Sequence, residues 1–358
     1  MKIVIATGGT GGHLFPALKV AEELRDRGHE VIFIGSFNVG LEKIAQRKFP
    51  YYNIPSQGFQ KKRLQAILSS AGSIIQATRT SLKILKDLKP DRVLGFGGYS
   101  SFSVVIAAWV LKVPVMIHEQ NAIPGRANKI LSRLAKKVAI SFEDARPFFP
   151  SGKTVLTGCP SHLSAGGIDK DKAYEFFGFK KENSTLFVFG GSQGSRRINE
   201  DFFQALISLK QELSIQVIHV TGTKDYDSIK EQYQNIKIPS AVFPFLDRMD
   251  YAYTIADLVI SRSGAATVTE ICLFECPSIL VPFPYAIGDH QKYNAQVLTR
   301  RNLAVMIEEK DLSSLKLKEK ICDMIKNKSA QQKIKQHFQE IAFPDAAKRL
   351  AEEVLNLK

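Results

Sequence analysis

The stretch MKIVIATGGTGGHLFPALKVAEELRDRGHEVIFIGS, at residues 1–36, contains a strand, a glycine-rich turn, a helix and a second strand. The apolar run KIVIA leads into two pairs of glycines, and Ala17, Val20 and Leu24 then fall on one face of a helix. Gly28 is expected to end this helix, and VIFIG has the composition of a buried strand. Strands joined through a helix pair in parallel, so this stretch predicts a βαβ unit and a parallel sheet.

Two further glycine turns follow apolar runs, in RVLGFGGYSS at residues 92–101 and in TLFVFGGSQGS at residues 185–195. Each is followed by a segment with helical spacing, so the βαβ pattern of the N-terminus recurs along the chain. Additional buried strands are predicted at residues 112–119, 136–141, 215–221, 241–245, 257–261 and 278–282.

A stretch rich in Pro, Gly and Ser, residues 142–170, separates two halves with the same pattern. We therefore predict an α/β protein with two Rossmann-like domains that face each other across a cleft. The first domain is expected to contain residues 1–160 and the second residues 161–344, and a final helix at residues 345–358 is expected to pack back on the first. Ligands of such domains bind at the carboxyl ends of the strands, which places the expected site in the cleft.

The composition is that of a globular protein, with 358 residues of which 44% are hydrophobic and 23% charged. No run of about 18 apolar residues occurs, so no membrane-spanning helix is expected. The N-terminal strand and glycine turn do not resemble a signal peptide, and we expect a cytosolic protein. The four cysteines lack zinc-ligand spacing and are expected to be reduced and structural.

The net charge of +14 is unevenly distributed. Residues 1–150 contain 22 Lys and Arg against 10 Asp and Glu, a net charge of +12, whereas residues 151–358 contain 27 against 25. A basic half predicts an anionic partner, either a lipid surface or nucleic acid. Nucleic acid is the less favoured partner, because aromatic residues are not interleaved with the basic runs.

His13 ends the first glycine turn, GGTGGH at residues 8–13. The turn has neither the G-x-G-x-x-G spacing of a dinucleotide site nor the GK[ST] ending of a P-loop, which argues against both functions. A neutral imidazole can remove a hydroxyl proton near neutral pH, so His13 is a candidate general base. The alternative is a tight turn in which His13 only caps the helix.

Two motifs of the second half are typical of phosphate and ribose binding. In GGSQGS, residues 190–195, successive amides and the Ser192 hydroxyl can form an anion nest. In SRSGAATVTE, residues 261–270, small residues leave a helix N-terminus open to phosphate, and Glu270 can accept hydrogen bonds from two ribose hydroxyls. The alternative role of Glu270 is to cap the first turn of that helix.

Polar clusters occur at two other places where apolar runs end. HEQN, residues 118–121, comes directly after a predicted strand, which makes it a candidate for the cleft. DHQKYN, residues 289–294, contains side chains that hydrogen-bond sugar hydroxyls, although a polar loop capped by Asp289 is the alternative. Metal binding is not expected at HEQN, because no second histidine lies nearby at ligand spacing.

Residues 59–86 have apolar residues at helical spacing, flanked only by basic charges. This pattern is typical of a helix that lies on a membrane surface. A core helix with a solvated basic face is an equal alternative. The residues assigned to the membrane face are Lys61, Lys62, Leu64, Ile67, Leu68, Ile75 and Arg79.

Together, the motifs GGTGGHLFPAL, GFGGYSS, HEQN, GGSQG, SRSGAATVTE, and PF followed by DHQ resemble the MurG family, the UDP-N-acetylglucosamine:lipid I transferases of bacterial peptidoglycan synthesis. The resemblance covers nearly the whole chain and keeps the order of the motifs. It implies the glycosyltransferase-B fold, with a UDP-sugar site in the second domain. It also implies that the first domain meets the lipid acceptor at the cytoplasmic face of the inner membrane, as a peripheral protein, without a metal or other cofactor.

The activity implied by the resemblance is the inverting transfer of GlcNAc from UDP-GlcNAc to the C4 hydroxyl of MurNAc in lipid I, which forms lipid II. The implied partners are UDP-GlcNAc, lipid I, the anionic membrane surface and other cell-wall synthesis proteins. Three alternatives remain: another membrane-associated glycosyltransferase, such as one acting on diacylglycerol, a UDP-GlcNAc 2-epimerase, and a regulator that binds nucleotide sugar without turnover.

The resemblance also implies roles for single residues. His13 is the first candidate for the general base, and Glu119 is the second. Glu270 is expected to hold the ribose, the backbone at Leu246 the uracil, and Gln291 the GlcNAc. The acceptor side comprises Gly98, Tyr99 and Ser100. The remaining donor-site residues are Thr10, Gly11, Gly12, Asn121, Ser192, Gln193, Ala265, Ala266 and Thr267.

Two positions depart from the family pattern. The family usually carries Gly-Asn-Pro-x-Arg at the domain junction, where this chain has Gly-Cys-Pro-Ser-His at residues 158–162. His162 cannot supply a permanent bidentate charge to the donor phosphates, so either its role depends on pH or Arg262 or another cation substitutes. Lys292 stands where some members have a second glutamine.

Overall fold

The structure of the protein is a computed structural model. It describes residues 1–8, 11–37, 40–54, 64–191, 193–327 and 337–358. For residues 64–71 and residue 100 it describes the backbone alone. This part of the chain forms two compact units. The N-terminal unit contains Met1–His162 and Asp345–Lys358, and the C-terminal unit contains Leu163–Pro344.

The N-terminal unit contains a sheet of seven parallel strands. They are β1 Lys2–Gly8, β2 Glu30–Ser36, β3 Tyr51–Asn53, β4 Arg92–Gly95, β5 Val115–Glu119, β6 Lys137–Ile140 and β7 Thr154–Leu156. Their order across the sheet is β3-β2-β1-β4-β5-β6-β7. The central strands are continuous apolar runs because helices cover both faces of a parallel sheet.

The helices of this unit are α1 Gly11–Asp26, α2 Leu41–Gln46, α3 Leu64–Leu88, α4 Gly98–Val110 and α5 Arg126–Leu134, with a 3-10 turn at Glu143–Phe148. Helix α1 packs on one face of the sheet, through a core that includes Leu14 and Leu24. Helices α3, α4 and α5 pack on the other face, through a core that includes Leu85, Val104 and Leu131.

The C-terminal unit contains a second parallel sheet, of six strands. They are β8 Ser184–Phe189, β9 Ile215–Val220, β10 Ser240–Phe243, β11 Leu258–Ser261, β12 Ser278–Leu280 and β13 Ala304–Met306. The order is β10-β9-β8-β11-β12-β13. Its helices are α6 Lys170–Phe177, α7 Arg196–Leu209, α8 Tyr226–Gln234, α9 Met249–Ile255, α10 Ala265–Leu273, α11 His290–Thr299 and α12 Ser314–Lys326, with 3-10 turns at Ile287–Asp289 and Glu309–Asp311.

The last helix of the chain, α13 Ala346–Leu355, belongs to the N-terminal unit. Its buried residues Leu350 and Val354 join the same core as α1. An ion pair of 2.6 Å between Lys137 and Glu353 adds a polar contact to the sheet side of this helix. None of the helices in the described residues combines the length and the apolar character needed to cross a bilayer.

Both sheets reverse their strand order beside the first strand of the unit, because β1 lies between β2 and β4 and β8 lies between β9 and β11. This is the switch point of a doubly wound sheet, where the loops diverge and ligands bind. The glycine turns follow β1, β4 and β8, and the SRSG motif follows β11. The predicted α/β class with two parallel sheets is confirmed.

Candidate active site

The carboxyl ends of β1, β4 and β5 meet at the switch point of the N-terminal unit. His13 lies half-buried in the first turn of α1. Gly98 follows β4 with a φ of 76°, and a Cβ on it would lie 3.8 Å from both Cδ2 and Nε2 of the His13 ring. The glycine turn after β4 therefore borders His13, and Tyr99 beside it is 44% exposed.

Gln120 connects His13 to the interior of the unit. Its Oε1 lies 3.0 Å from His13 Nδ1, and its Nε2 donates to the carbonyl oxygen of Phe96 at 3.1 Å. The same Nε2 lies 3.1 Å from Nδ1 of His118, which is fully buried, and His118 Nε2 lies 3.0 Å from the carbonyl oxygen of Gly158. Burial lowers the pKa of His118 to about 4, so this histidine is neutral at neutral pH.

Glu119 is only 2% exposed, and its carboxylate accepts four hydrogen bonds. Oε1 accepts from the backbone N–H and the side-chain amide of Asn121 at 2.9 and 3.2 Å. Oε2 accepts from Gly125 N at 3.2 Å and from Asn128 Nδ2 at 2.8 Å. Burial raises the pKa of Glu119, while these donors act in the opposite direction. A carboxylate with both oxygens occupied holds the loop to α5, and this geometry favours His13 over Glu119 as the base.

Asn128, which donates to the Glu119 carboxylate, is a residue of this site that sequence reasoning missed. Its Nδ2 also donates to the carbonyl oxygen of His118 at 3.1 Å, so it ties α5 to the end of β5. Gly97, with a φ of 83°, packs directly against the Asn128 amide, because a Cβ there would lie 3.1 Å from Nδ2. The only sequence signal is a polar residue in the first helical turn after HEQN.

His162, at the position of the family's junction arginine, stacks on Phe15 of α1. The ring centroids are 5.1 Å apart and the planes are inclined by 28°. Phe15 lies two residues beyond His13 on the same helix. In this structure the exposed His162 ring thus makes an aromatic contact within the N-terminal unit, and its role toward the donor stays a prediction.

A pocket of about 630 Å³ lies in the C-terminal unit beside the ends of β8 and β11. The glycine turn after β8 and the N-terminus of α10 form two of its walls. Amides of a glycine turn and of a first helical turn lack intrahelical partners and can donate to an anion. Of the predicted donor-site residues, the pocket lining contains Gln193, Thr267 and Gln291, and Ala265 and Ala266 lie in the same turn as Thr267.

Close backbone contacts require two of the glycines of this turn, Gly190 and Gly194. A Cβ on Gly190 would lie 2.2 Å from Ser195 N, and one on Gly194 would lie 2.1 Å from the carbonyl oxygen of Thr221. Gly194 also has a φ of 75°, which L side chains rarely adopt. The turn is thus held against β9 by backbone packing.

Arg262 lines the pocket, but its guanidinium group is bound by other groups of the protein. Nη1 donates to the carbonyl oxygens of Val281 and Pro282 at 3.2 Å each, and Nη2 donates to Ser195 Oγ at 2.8 Å. Glu309 forms an ion pair with the same Nη2. Arg262 therefore ties the end of β12 to the start of α7, and Glu309 neutralises its charge, so it is poorly suited to replace the junction arginine.

Two other cations line the pocket at the start of α7, Arg196 and Arg197. Arg196 pairs with Glu200 at 2.6 Å, and its side chain is 80% exposed. Arg197 pairs with Asp201 at 2.7 Å. Because Arg196 is both exposed and next to the glycine turn, it suits the role of a substitute cation better than Arg262 does.

Glu270 lies in the second turn of α10 and is 8% exposed. Its Oε2 accepts a hydrogen bond of 3.0 Å from the hydroxyl of Tyr253. Burial raises the pKa of Glu270 to about 7, and the Tyr253 hydroxyl opposes this rise. Sequence reasoning missed Tyr253, whose buried ring stacks on Phe274 with centroids 5.1 Å apart, because an aromatic residue in an apolar helix gives no functional signal.

Gln291 and Lys292 have different environments. Gln291 Oε1 accepts from the backbone N–H groups of Phe283 at 2.9 Å and of Ser263 at 3.3 Å, which makes its Nε2 the atom able to donate to a sugar hydroxyl. Lys292 instead pairs with Glu308, which raises the pKa of the lysine. The lysine therefore does not reproduce the second glutamine of some family members.

The remaining predicted residues are placed as follows. Gly11 and Gly12 are exposed in the first turn of α1, and Leu246 follows β10 with a buried side chain. Thr10, Ser192, Lys61 and Lys62 lie outside the described residues. The side chains of Ser100, Leu64, Ile67 and Leu68 are likewise outside the description.

On the described half of α3, Ile75 and Arg79 are exposed, whereas Ala77, Ser81 and Leu85 are buried. Ala77 and Leu85 pack in the core of the N-terminal unit. Residues 72–88 therefore pack in the core through one face, and whether their outer face, with Ile75 and Arg79, binds a membrane stays a prediction.

Two family models match the chain. Residues 3–140 match the N-terminal domain of glycosyltransferase family 28, and residues 185–350 match the C-terminal domain of the same family.

Curated relatives match along nearly the whole chain. A Halalkalibacterium halodurans protein named UDP-N-acetylglucosamine--N-acetylmuramyl-(pentapeptide) pyrophosphoryl-undecaprenol N-acetylglucosamine transferase is 36% identical over 356 residues, which is 98% of each chain. A protein of the same name from Listeria monocytogenes is 36% identical over 364 residues, covering 100% of this chain and 99% of its own.

Solved structures agree with these matches. The crystal structure of Acinetobacter baumannii MurG superposes with a TM-score of 0.81 at 28% identity and covers 99% of each chain. A UDP-GlcNAc 2-epimerase from Neisseria meningitidis has a TM-score of 0.72 at 15% identity, which shows a shared fold alone. With both domain models, the full-length relatives and the MurG structure in agreement, the chain belongs to glycosyltransferase family 28 and, within it, to the MurG family of UDP-sugar-dependent N-acetylglucosaminyltransferases.

Proposed function

We propose that the chain transfers GlcNAc from UDP-GlcNAc to the C4 hydroxyl of MurNAc in lipid I, which yields lipid II for peptidoglycan synthesis. The observation that carries this proposal is the match, at 36% identity over 98% or more of the chain, to relatives named for that transfer. The geometry supports it, because the N-terminal unit offers a half-buried histidine beside an open glycine turn. The C-terminal unit offers an anion pocket with a carboxylate in the adjoining helix.

In the proposed step, His13 removes the proton of the C4 hydroxyl. The oxygen then bonds to the anomeric carbon of GlcNAc from the face opposite UDP, and the bond from that carbon to the diphosphate breaks. The electron pair leaves with UDP, so one displacement inverts the anomeric centre. Backbone N–H groups of the glycine turn after β8 and of the first turn of α10 donate hydrogen bonds to the diphosphate and stabilise the negative charge that develops on it. We assign no metal or other cofactor to this step.

Within the donor site, the proposed contacts follow the chemistry of each group. Glu270 accepts from the ribose hydroxyls, the backbone at Leu246 contacts the uracil, and Gln291 and Asn121 contact the GlcNAc. The groups proposed to bind the diphosphate are Ser192, Gln193 and the first turn of α10 at Ala265, Ala266 and Thr267.

The substrate assignment is tested by incubating the full chain with UDP-GlcNAc and a lipid I analogue in detergent. We expect a product heavier than the acceptor by one GlcNAc residue. UDP-glucose is the matched donor control, and diacylglycerol is the matched acceptor control. Turnover of either control in place of the proposed pair would contradict the assignment. Binding of UDP-GlcNAc without turnover would favour the regulator, and conversion of UDP-GlcNAc to its 2-epimer would favour the epimerase.

We also propose that the N-terminal unit binds the anionic cytoplasmic face of the inner membrane, where a lipid-linked acceptor resides. Residues 1–150 carry a net charge of +12. Ile75 on α3 is 54% exposed, and Trp109 and Val110 at the end of α4 are each 51% exposed. Exposed apolar side chains on a basic unit are typical of proteins that bind an anionic bilayer.

Trp109 is the only tryptophan of the chain, so its fluorescence reports on this surface alone. We expect its emission to shift to the blue on addition of anionic vesicles, and the shift to shrink as salt screens the charges. Arg79→Ala is expected to weaken vesicle binding by about fivefold, since a basic residue near an anionic surface contributes about 1 kcal/mol. Lys172→Ala, on the C-terminal unit, is the control, and equal binding by neutral and anionic vesicles would contradict the proposal.

A further inference from the structure

We propose that Gln120 is a positioning residue that holds His13 in the tautomer with its proton on Nδ1 and its lone pair on Nε2. The catalytic meaning of this tautomer rests on the proposed function, in which His13 is the general base. The tautomer itself is a property of the free protein and can be measured without substrate.

Backbone carbonyls fix the orientation of the Gln120 amide. A carbonyl oxygen can only accept, and those of Phe96 and His118 lie 3.1 and 3.4 Å from Gln120 Nε2. With the NH2 group on that side, Oε1 is the atom that lies 3.0 Å from His13 Nδ1. An amide oxygen also only accepts, so His13 Nδ1 must carry the proton of this hydrogen bond.

The His118 ring also fixes the orientation of the Gln120 amide, independently of the carbonyl oxygens of Phe96 and His118. Its Nε2 lies 3.0 Å from the carbonyl oxygen of Gly158, so this nitrogen carries a proton. Its Nδ1 is then the acceptor for an N–H of Gln120 at 3.1 Å. A second proton on the His118 ring would set two donors against each other, and burial lowers the pKa of His118 to about 4. The arrangement is therefore stable across the neutral pH range.

The other nitrogen of His13 faces the glycine turn after β4. A Cβ on Gly98 would lie 3.8 Å from Nε2, and glycine leaves that space without a side chain. The ring edge formed by Cδ2 and Nε2 thus borders this turn, and in the proposed function Nε2 is the atom that takes the acceptor proton. With the opposite tautomer, Nε2 would present a proton and could not act as a base.

Gln120 acts through His13 and does not touch the reacting atoms. When Nε2 takes the acceptor proton, His13 becomes an imidazolium, and Oε1 of Gln120 still accepts from Nδ1–H. No second proton moves. A neutral amide therefore supplies the orientation that a carboxylate supplies in a catalytic triad, without adding a buried charge.

The test is nitrogen NMR of the full chain labelled with ¹⁵N-histidine, with His13 assigned from the His13→Asn spectrum. We expect a protonated Nδ1 on His13 and a protonated Nε2 on His118 near neutral pH. Gln120→Met removes the acceptor at similar size. In this variant we expect His13 to shift toward the Nε2–H form and kcat to fall about 10–100-fold, by analogy with the loss seen when the hydrogen-bond partner of a metal-ligating histidine is removed. KM for UDP-GlcNAc is expected to stay unchanged.

The exposed Gln46→Met is the matched control. A proton on Nε2 of His13 in the unsubstituted protein would overturn the proposal, whether or not Gln120→Met folds. A folded Gln120→Met protein with the original tautomer and the original kcat would overturn it as well. If the tautomers are as expected but His13→Ala keeps full turnover, the base assignment of the proposed function fails and the positioning of the ring by Gln120 stands.

Discussion

His13→Ala is expected to lower kcat by a factor of about 10²–10⁴, the contribution typical of a positioned general base, while the affinity for UDP-GlcNAc stays near that of the unsubstituted chain. The affinity is retained because the donor pocket is lined by residues of the C-terminal unit, whereas His13 belongs to the N-terminal unit. Alanine also favours the helical turn that His13 occupies. Single-turnover rates with a lipid I analogue and calorimetric binding of UDP-GlcNAc measure the two quantities separately.

His29→Ala is the matched control for this variant. His29 precedes β2, at the amino end of a strand of the same sheet, and its Nδ1 lies 3.3 Å from the N-terminal amine. We expect its kcat to be unchanged. A His13→Ala protein that keeps kcat would contradict the assignment of the base. A parallel loss of kcat and of UDP-GlcNAc affinity would instead indicate a donor-binding role for His13.

Much of the fold could be predicted from local sequence alone. Each buried strand is an apolar run bounded by a glycine turn or a helix stop, and Gly28 ends α1 with the positive φ, 82°, that only glycine adopts readily. The spacing of apolar residues that distinguishes helices from strands in such segments can be read without the rest of the chain. The spacing of α3 suits both a membrane helix and a core helix; the structure shows that its inner face packs in the core, and membrane binding by its outer face stays a prediction.

The motifs of the candidate site could be found from sequence, but not the division of labour within them. HEQN contains four polar residues in a row, and nothing in their order shows that Glu119 holds a loop while Gln120 contacts His13. These roles depend on atoms from distant parts of the chain, such as the carbonyl oxygens of Phe96 and Gly158. The same holds for Arg262: the sequence offers it as one possible substitute for the junction arginine, and only the structure shows its pairing with Glu309.

Glu270→Ala is expected to weaken the binding of UDP-GlcNAc about 10²–10⁴-fold, because two hydrogen bonds from the ribose to a charged acceptor are lost, each worth about 1.5–3 kcal/mol. Since burial raises the pKa of Glu270 to about 7, the carboxyl group must lose its proton before it can accept both ribose hydrogen bonds as a charged group. The affinity of the unsubstituted chain should therefore fall about tenfold for each pH unit below 7. UDP-GlcNAc suits this measurement because, unlike UDP, it has no terminal phosphate that titrates near pH 6.

The free energy of unfolding is expected to change with pH in the opposite direction to the affinity for UDP-GlcNAc. The pKa of Glu270 in the folded chain, about 7, exceeds the ordinary 4.5, so between these values the folded state holds a proton that the unfolded state releases. Its contribution to the free energy of unfolding is complete below about pH 4.5 and is lost as the pH rises through about 7. Glu270→Gln keeps the shape and an acceptor for the Tyr253 hydroxyl but has no proton to lose, so both pH trends should disappear from it.

Tyr253→Phe tests whether the titration of Glu270 controls UDP-GlcNAc binding, because it changes the pKa of Glu270 without removing the carboxyl group that contacts the ribose. The Tyr253 hydroxyl donates to Glu270 Oε2 at 3.0 Å and so favours the charged form of the carboxyl group. Without it the pKa of Glu270 rises further, and the binding of UDP-GlcNAc should reach its plateau at higher pH than in the unsubstituted chain. Above that pH the two affinities should converge, because the ribose contacts are intact. Calorimetry from about pH 5 to about pH 9, with the exposed Glu231→Gln as control, decides the matter. A pH trend that persists in Glu270→Gln would assign the titration to another group.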